Sequence, residues 1–389
     1  MKNIFGFDEK KLSDLGATYT ATEIYQQPRL WKEVYKIIND NKEEIKKINN
    51  KIKETENIRI VLTGAGTSAY VGDTVECYLL KITRKRVQSI ATTDIVSNPQ
   101  EFIEKDTPTI LVSFARSGNS PESVGTYNLF EQLCDDVTQV VITCNKDGEL
   151  AKKARMDKRN LVILMPEESN DKSFAMTSSF TCMLLTTLLI FDIDNLETKK
   201  TLVDVISNNA QRILDNEWKS IKEVSEEDFN RIVYLGSGSL KGLTKEAALK
   251  NLELTSGKLV SVCESILGFR HGPKSIINDE TIVVAFIAQN DYTRLYDLDL
   301  VKEINGDSGN HRLWIISYDY NEELKKNCDK FSSIDIKYVP EAFASLDYII
   351  FAQVFALMNS IKLGISPDNP RPDGTVNRVV KGVTIHKFE

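Results

Sequence analysis

One pattern recurs in this chain at a fixed distance, and a repeat on that scale restricts the fold more than any other feature. Ile58-Arg59-Ile60-Val61-Leu62-Thr63 is a β-branched run that stops at Gly64-Ala65-Gly66-Thr67-Ser68 and resumes as a helix through Val75 and Leu80. Ile232-Val233-Tyr234-Leu235 stops in the same way at Gly236-Ser237-Gly238-Ser239, and Gly236 follows Gly64 by 172 residues. Thr281 to Phe286 follows Thr109 to Phe114 by the same 172 residues. Two strands that keep one offset mark a duplicated strand-turn-helix lobe, and a third buried run, Val140 to Thr143, extends the first copy into a βαβ series.

A chain of 389 residues is long enough for two such lobes. The expected fold class is α/β, with two tandem three-layer αβα lobes of mostly parallel sheet behind an N-terminal helical segment. The boundaries read from the pattern are 1–55 for that segment, 56–200 and 201–370 for the lobes, and 371–389 for a tail. Ile24, Trp31, Val34, Ile38, Ile45, Ile48 and Ile52 form the apolar stripe of the helical segment, which is expected to pack across the lobe that follows.

The net charge of −7 opposes a nucleic-acid role, because the long-range field repels phosphate backbones. Neutral loops still accept small phosphorylated ligands. The six cysteines include no Cys-x-x-Cys pair and mostly lie in apolar runs, which points to buried thiols in a reducing compartment. His271, His311 and His386 are too scattered for a histidine-rich metal centre, so no metal is expected. Met1 is followed by Lys2, Asn3, Ile4 and Phe5 with no apolar leader, and no stretch reads as long enough to span a bilayer. The expectation is a cytoplasmic protein with no membrane partner.

Phosphate needs several donors, and helix N-termini supply unpaired N–H groups at the positive end of the helix dipole. The first lobe offers two such turns. One is Gly66, Thr67 and Ser68; the other runs from Ser113 through Arg116, Ser117 and Ser120, with Ser120 placed to cap a helix that has Pro121 in its first turn. Thr177, Ser178 and Ser179 precede an apolar helix and are expected to close the pocket from a third side. The second lobe has Gln289-Asn290-Asp291-Tyr292 in place of the small hydroxyls, so only the first lobe reads as an anion site. Gly64 to Ala69 also satisfies a GxGxxA dinucleotide fingerprint. The acidic partner of that fingerprint is missing, since Asp94 lies too far beyond Arg86 to Ala91. No cofactor is therefore expected.

His271 sits in Gly268-Phe269-Arg270-His271-Gly272-Pro273-Lys274, a turn and not an apolar helix face, and imidazole suits proton transfer to a sugar ring oxygen. Glu246, Lys250, Glu253 and Lys258 read equally well as a solvated helix face with paired charges.

Six segments in order resemble the sugar isomerase (SIS) domain family in its tandem form, as in the isomerase half of glutamine-dependent glucosamine-6-phosphate synthase. They are Glu23 to Pro28, Gly66 to Ser68, Arg116 to Ser120, Glu246 to Glu253, His271 to Pro273, and Lys381 to Thr384. The resemblance implies that Ser68, Ser117 and Ser120 bind phosphate, that Glu253 moves a proton between C1 and C2, that His271 opens the ring and that Lys381 sits at the carbonyl end of the sugar. Glu264 is the alternative proton carrier, because Glu253 and His271 stand about two residues further apart than in the synthase. In that synthase the histidine comes from a neighbouring subunit, so the resemblance also implies a homodimer or higher homo-oligomer with a shared active site. No glutaminase segment is recognised, and synthesis of an amino sugar is not expected. Gly268-Phe269-Arg270-His271-Gly272-Pro273 and Ser173 to Ser179 are similar to the galactosamine-6-phosphate deaminase/isomerase branch, also named tagatose-6-phosphate ketose/aldose isomerase. The expected activity is deaminating aldose-ketose isomerisation of a sugar phosphate, the alternatives being a non-deaminating isomerase or a sugar-phosphate sensor without turnover.

Overall fold

A computed structural model describes residues 3–334, 339–380 and 382–389 and resolves the repeat into two parallel five-stranded sheets. The first contains β1 (Arg59–Thr63), β2 (Arg86–Ser89), β3 (Thr109–Ala115), β4 (Val137–Thr143) and β5 (Leu161–Leu164) in the order β2-β1-β3-β4-β5. The second contains β6 (Arg231–Gly236), β7 (Val260–Ser265), β8 (Thr281–Phe286), β9 (Arg312–Ser317) and β10 (Lys330–Ser333) in the order β10-β9-β8-β6-β7. Read from the opposite edge, the two orders are identical. The offset of 172 also survives in the pairing, since Arg59 lies opposite Thr109 and Arg231 lies opposite Thr281.

Strands β1, β3 and β4 are buried along their whole length, which is why they read as continuous apolar runs without alternation. Such a sheet reverses its winding between β1 and β3, and ligands of doubly wound folds bind in the crevice beyond the strand ends at that point. The glycine turns stand there. Gly66 and Gly238 cap the following helices with almost the same backbone, φ 55° and ψ −127° against φ 57° and ψ −127°, a conformation that a side chain would strain.

The chain forms two compact units. The first is Arg29–Asp171, Met176–Asp204 and Asp373–Glu389; the second is Met1–Pro28, Lys172–Ala175 and Val205–Pro372. The helical N-terminal segment thus divides, and only the part from Arg29 onward joins the lobe that follows it. Residues of the tail belong to the first unit.

In the first unit the helix Ser178–Phe191 is buried along its length and packs on the helix Thr67–Thr83. In the second unit the helix Glu341–Lys362 packs on Ser239–Leu254. At 22 residues it corrects the reading that no stretch is long enough for a bilayer: among the described residues this one helix passes by length and composition, with 94% of its most apolar window buried inside the fold. The thiols also depart from expectation, as Cys134 and Cys182 are buried, Cys144, Cys263 and Cys328 are half-buried and Cys77 is exposed. Cys77 faces outward because the buried face of its helix runs through Val71, Val75 and Leu79.

Candidate active site

The crevice of the first unit is lined by Ala65 and Ser68 from the first glycine turn, by Phe114 to Ser117, Ser120 and Ser123 from the second turn, by Met176, and by Arg378, Val379 and Val380 of the tail. Four expected phosphate ligands, Ser68, Arg116, Ser117 and Ser120, are therefore gathered on one wall. Ser120 is the residue before the helix Pro121–Leu133, and its hydroxyl donates to Ser123 Oγ at 2.6 Å instead of capping a backbone N–H. Two helix N-termini, those of Thr67–Thr83 and Pro121–Leu133, face this space, and their dipoles favour an anion. Gly66, Thr67 and Ser113 belong to the same strand-turn-helix frame without lining the crevice; Ser113 lies in β3 opposite Thr63.

Thr177 is not on the wall. Its amide donates to Asp171 Oδ2 at 3.0 Å and its hydroxyl to Asp171 Oδ1 at 3.2 Å, while the amides of Ser178 and Ser179 each reach the same carboxylate at 3.0 Å. Asp171 is fully buried and already supplies the negative charge that this helix N-terminus attracts, so Thr177 has no donors left for a ligand. Its neighbour Met176 takes the place on the wall.

The tail closes the crevice through Arg378, Val379 and Val380, residues just before the Lys381 that the resemblance pointed to. Arg116 is 8% exposed, and its Nη2 donates to the carbonyl of Arg378 at 2.7 Å. Arg378 in turn donates to the carbonyl of Asp171. Further along, Gln132 Nε2 donates to the Phe388 carbonyl at 3.1 Å, and Phe388 packs against the core that includes Val61, Leu111 and Phe130. Lys381 lies outside the described residues. Of the residues that were missed, Ser123 carried a signal, since it follows Ser120 by one helical turn. Val379 and Val380 carried none.

In the second unit, Glu246, Lys250 and Glu253 do not form a solvated face. The Lys250 side chain is wholly buried, with Nζ 2.6 Å from Glu253 Oε2 and 3.3 Å from Glu246 Oε1. Burial pulls the Lys250 pKa down, but the two carboxylates push it up further, and the net shift is upward. Glu253 keeps 24% of its side chain exposed, so it is a carboxylate held from beneath by a buried cation and open on its outer side. The helix that carries it is fixed by Asn251, which donates to the Tyr234 hydroxyl and accepts from Asn359 Nδ2 at 2.8 Å.

His271 is exposed on the turn after the helix Ile266–Phe269. Gly272 takes φ 116°, which lets the chain reverse immediately after the imidazole. The turn is tied down on both sides by one residue, with Glu303 2.7 Å from Arg270 Nη2 and 2.6 Å from Lys274 Nζ; Lys274 also pairs with Asp307 at 2.7 Å. Glu264, at the end of β7, accepts from its neighbour's amide at 2.7 Å and hydroxyl at 3.2 Å.

The SIS domain family matches residues 54–192. D-galactosamine-6-phosphate deaminase AgaS of Shewanella sp. (strain ANA-3) is 42% identical over 382 residues, covering 97% of this chain and 94% of that protein. The chain belongs to the SIS family. Among solved SIS structures, one from Clostridium novyi NT is 46% identical and covers 100% of both chains at a TM-score of 0.97. Tagatose-6-phosphate ketose/aldose isomerase from Escherichia coli is 36% identical, covering 96% of this chain and 97% of that one at a TM-score of 0.87. The SIS match falls on the first unit's sheet, where the crevice is open.

The corresponding crevice of the second unit holds Asp297 and Glu341. Burial pushes the Asp297 carboxyl up to about 6 against the hydrogen bonds from Ala288 and Ser237, and it pushes Glu341 up to about 6 with the charge of Asp297 adding to it. A carboxyl that titrates higher in the folded than in the unfolded chain contributes stability that is present at low pH and lost as pH rises through the folded value. Glu341→Gln removes one of the two groups. Its melting temperature should therefore gain on the wild type between about pH 5 and about pH 7.5, as read by thermal unfolding; a constant difference across that range would mean that Glu341 does not titrate there.

Proposed function

We propose that this chain deaminates D-galactosamine 6-phosphate, giving tagatose 6-phosphate and ammonium. The Lys250-held carboxylate of Glu253 is the observation that carries the reading, because it is a potential base fixed by a buried cation and open on its outer side. The substrate follows from the name of the Shewanella relative, which is similar along nearly the whole chain.

The chemistry balances with these groups. His271 gives a proton to the ring oxygen as the C1–O5 bond breaks and the C1 hydroxyl becomes an aldehyde. Glu253 takes the C2 proton while the C1 oxygen takes one from water, and Glu253 returns its proton to C1, so that the 2-amino aldose becomes a protonated 2-imino sugar with a C1 alcohol. Water then adds at C2, the C–N bond breaks and ammonia leaves. This last, hydrolytic step separates the reaction from plain isomerisation. Phosphate recognition falls to Ser68, Ser117 and Ser120 at the helix N-termini, with Arg116 as the nearby cation. The exposed turn suits donation of His271 into the site of a second copy of the chain, and a homo-oligomer with shared sites is part of the reading. So are a cytosolic setting and a carbonyl-end role for Lys381. The name of the Escherichia coli structure favours a second reading, a tagatose-6-phosphate ketose/aldose isomerase that releases no ammonia.

Incubation with galactosamine 6-phosphate and, separately, glucosamine 6-phosphate, with ammonia and ketose phosphate measured together, tests the reading. Equal amounts of ammonia and ketose from the galacto substrate are expected. Conversion of tagatose 6-phosphate with no ammonia from either amino sugar would replace deamination by plain isomerisation.

A further inference from the structure

The two crevices are built on the same backbone, yet one is open and the other is filled. With the offset of 172, Gly238 corresponds to Gly66, Ala288 to Arg116 and Gln289 to Ser117. A Cβ built on Gly66 meets nothing within 4 Å, whereas one built on Gly238 lies 3.2 Å from Glu341 Oε1. The space left open over the first glycine turn is thus occupied by a carboxylate over the second.

The hydrogen bonds around that carboxylate are those an oxyanion would collect. The Gln289 amide donates to Glu341 Oε2 at 3.1 Å, and the Ala288 amide donates to Asp297 Oδ2 at 2.8 Å. The Ser237 hydroxyl donates to Asp297 Oδ1 at 3.0 Å. Consecutive backbone amides at the switch point, beside the N-terminus of the 16-residue helix Ser239–Leu254, form the arrangement that holds phosphate in doubly wound folds. Here two side chains from elsewhere in the unit take those donors, Asp297 from the helix Asp291–Gly306 and Glu341 from the first turn of Glu341–Lys362.

We propose that Glu341 and Asp297 are an internal stand-in for a phosphate group, closing the second crevice to external oxyanions so that each chain offers a single phosphate site. The inference rests on the reading of the first crevice as the phosphate pocket only for the count in the wild type. A carboxylate delivered by the chain itself pays no association entropy, so a millimolar anion does not displace it. Removing the Glu341 carboxylate vacates the Gln289 amide and the space over Gly238 together, leaving that backbone donor and the helix N-terminus for a tetrahedral oxyanion while Asp297 keeps the Ala288 amide and the Ser237 hydroxyl.

Inorganic phosphate is the probe, and calorimetric titration of the full-length protein gives its stoichiometry per chain. Wild type is expected to bind one phosphate and Glu341→Ala two; with Ser120→Asp, which places a carboxylate in the first crevice, the double variant is expected to bind one. A second readout covers the case in which Glu341→Ala folds weakly. Phosphate at about 100 times its dissociation constant should then raise the melting temperature of Glu341→Ala several degrees more than that of wild type. One site in wild type and still one in Glu341→Ala, with equal phosphate-induced shifts in melting temperature, would overturn the inference and leave the first crevice's assignment standing. None in wild type and one in Glu341→Ala would support it and overturn that assignment instead.

Discussion

Glu253→Gln is expected to lower kcat for galactosamine 6-phosphate by ~10²–10⁴-fold, the loss typical of removing a positioned general base. Glutamine keeps the shape and the contact with Lys250 Nζ through its amide oxygen, but it does not accept the C2 proton. A base that acts only in the proton-transfer step adds little to substrate binding, so KM should stay within about threefold. Steady-state kinetics and loss of label from substrate deuterated at C2 give independent readings. If Glu253→Gln kept more than about a tenth of kcat, Glu253 would not be the proton carrier and the same loss would be sought in Glu264→Gln. The geometry favours Glu253, whose partner is a buried cation; among the described residues Glu264 accepts from its own neighbour Ser265.

Lys250→Met is expected to cost about 3–5 kcal/mol of folding stability, read as a lower urea midpoint at unchanged slope. The ammonium is wholly buried beside Glu246, whose side chain is also wholly buried, and without it that interior carboxylate loses the cation 3.3 Å away. The double variant Glu246→Gln/Lys250→Met should recover much of that loss, because the buried carboxylate that loses its Lys250 partner is what makes the single change costly. A single variant as stable as wild type would mean that the three charges do not hold one another. The two experiments are linked. Lys250 Nζ holds the Glu253 carboxylate from beneath, so any folded Lys250→Met protein should also be slow.

The repeat was legible because it is written twice in residue types with strong local preferences. β-branched strands ending in glycine turns gave both sheets and their shared offset, and Ser120-Pro121 gave the start of its helix. Ser68, Arg116, Ser117 and Ser120 could be grouped on one crevice in advance because residues at one strand end and one helix start are neighbours in any doubly wound fold. Thr177 was misplaced because its helix N-terminus is satisfied by Asp171, six residues earlier, and a cap across a loop has no periodic signature. Arg378 to Val380 were invisible for a similar reason: an irregular strap is positioned by tertiary contacts, here the Arg116 bond to its backbone. The charges at Glu246, Lys250 and Glu253 looked solvated because helical spacing alone does not tell which side of the helix is covered. The long helix Glu341–Lys362, packed on Ser239–Leu254, decides that question.

The first unit is assembled from chain segments that are far apart in time. Its crevice walls from residues 65–123 leave the ribosome long before Arg378, Val379 and Val380, which follow Asp204 only after the whole span Val205–Pro372. At ~5–20 residues per second, that interval is roughly ten to thirty seconds. During synthesis the nascent first lobe therefore carries an unclosed crevice and an uncovered patch where Phe388 will dock, and a trigger for completing it arrives only once the second lobe has been made. Closure of the crevice waits for residues 378–380, and a message cut short within the second lobe leaves Arg116 without the Arg378 carbonyl and that side of the crevice open.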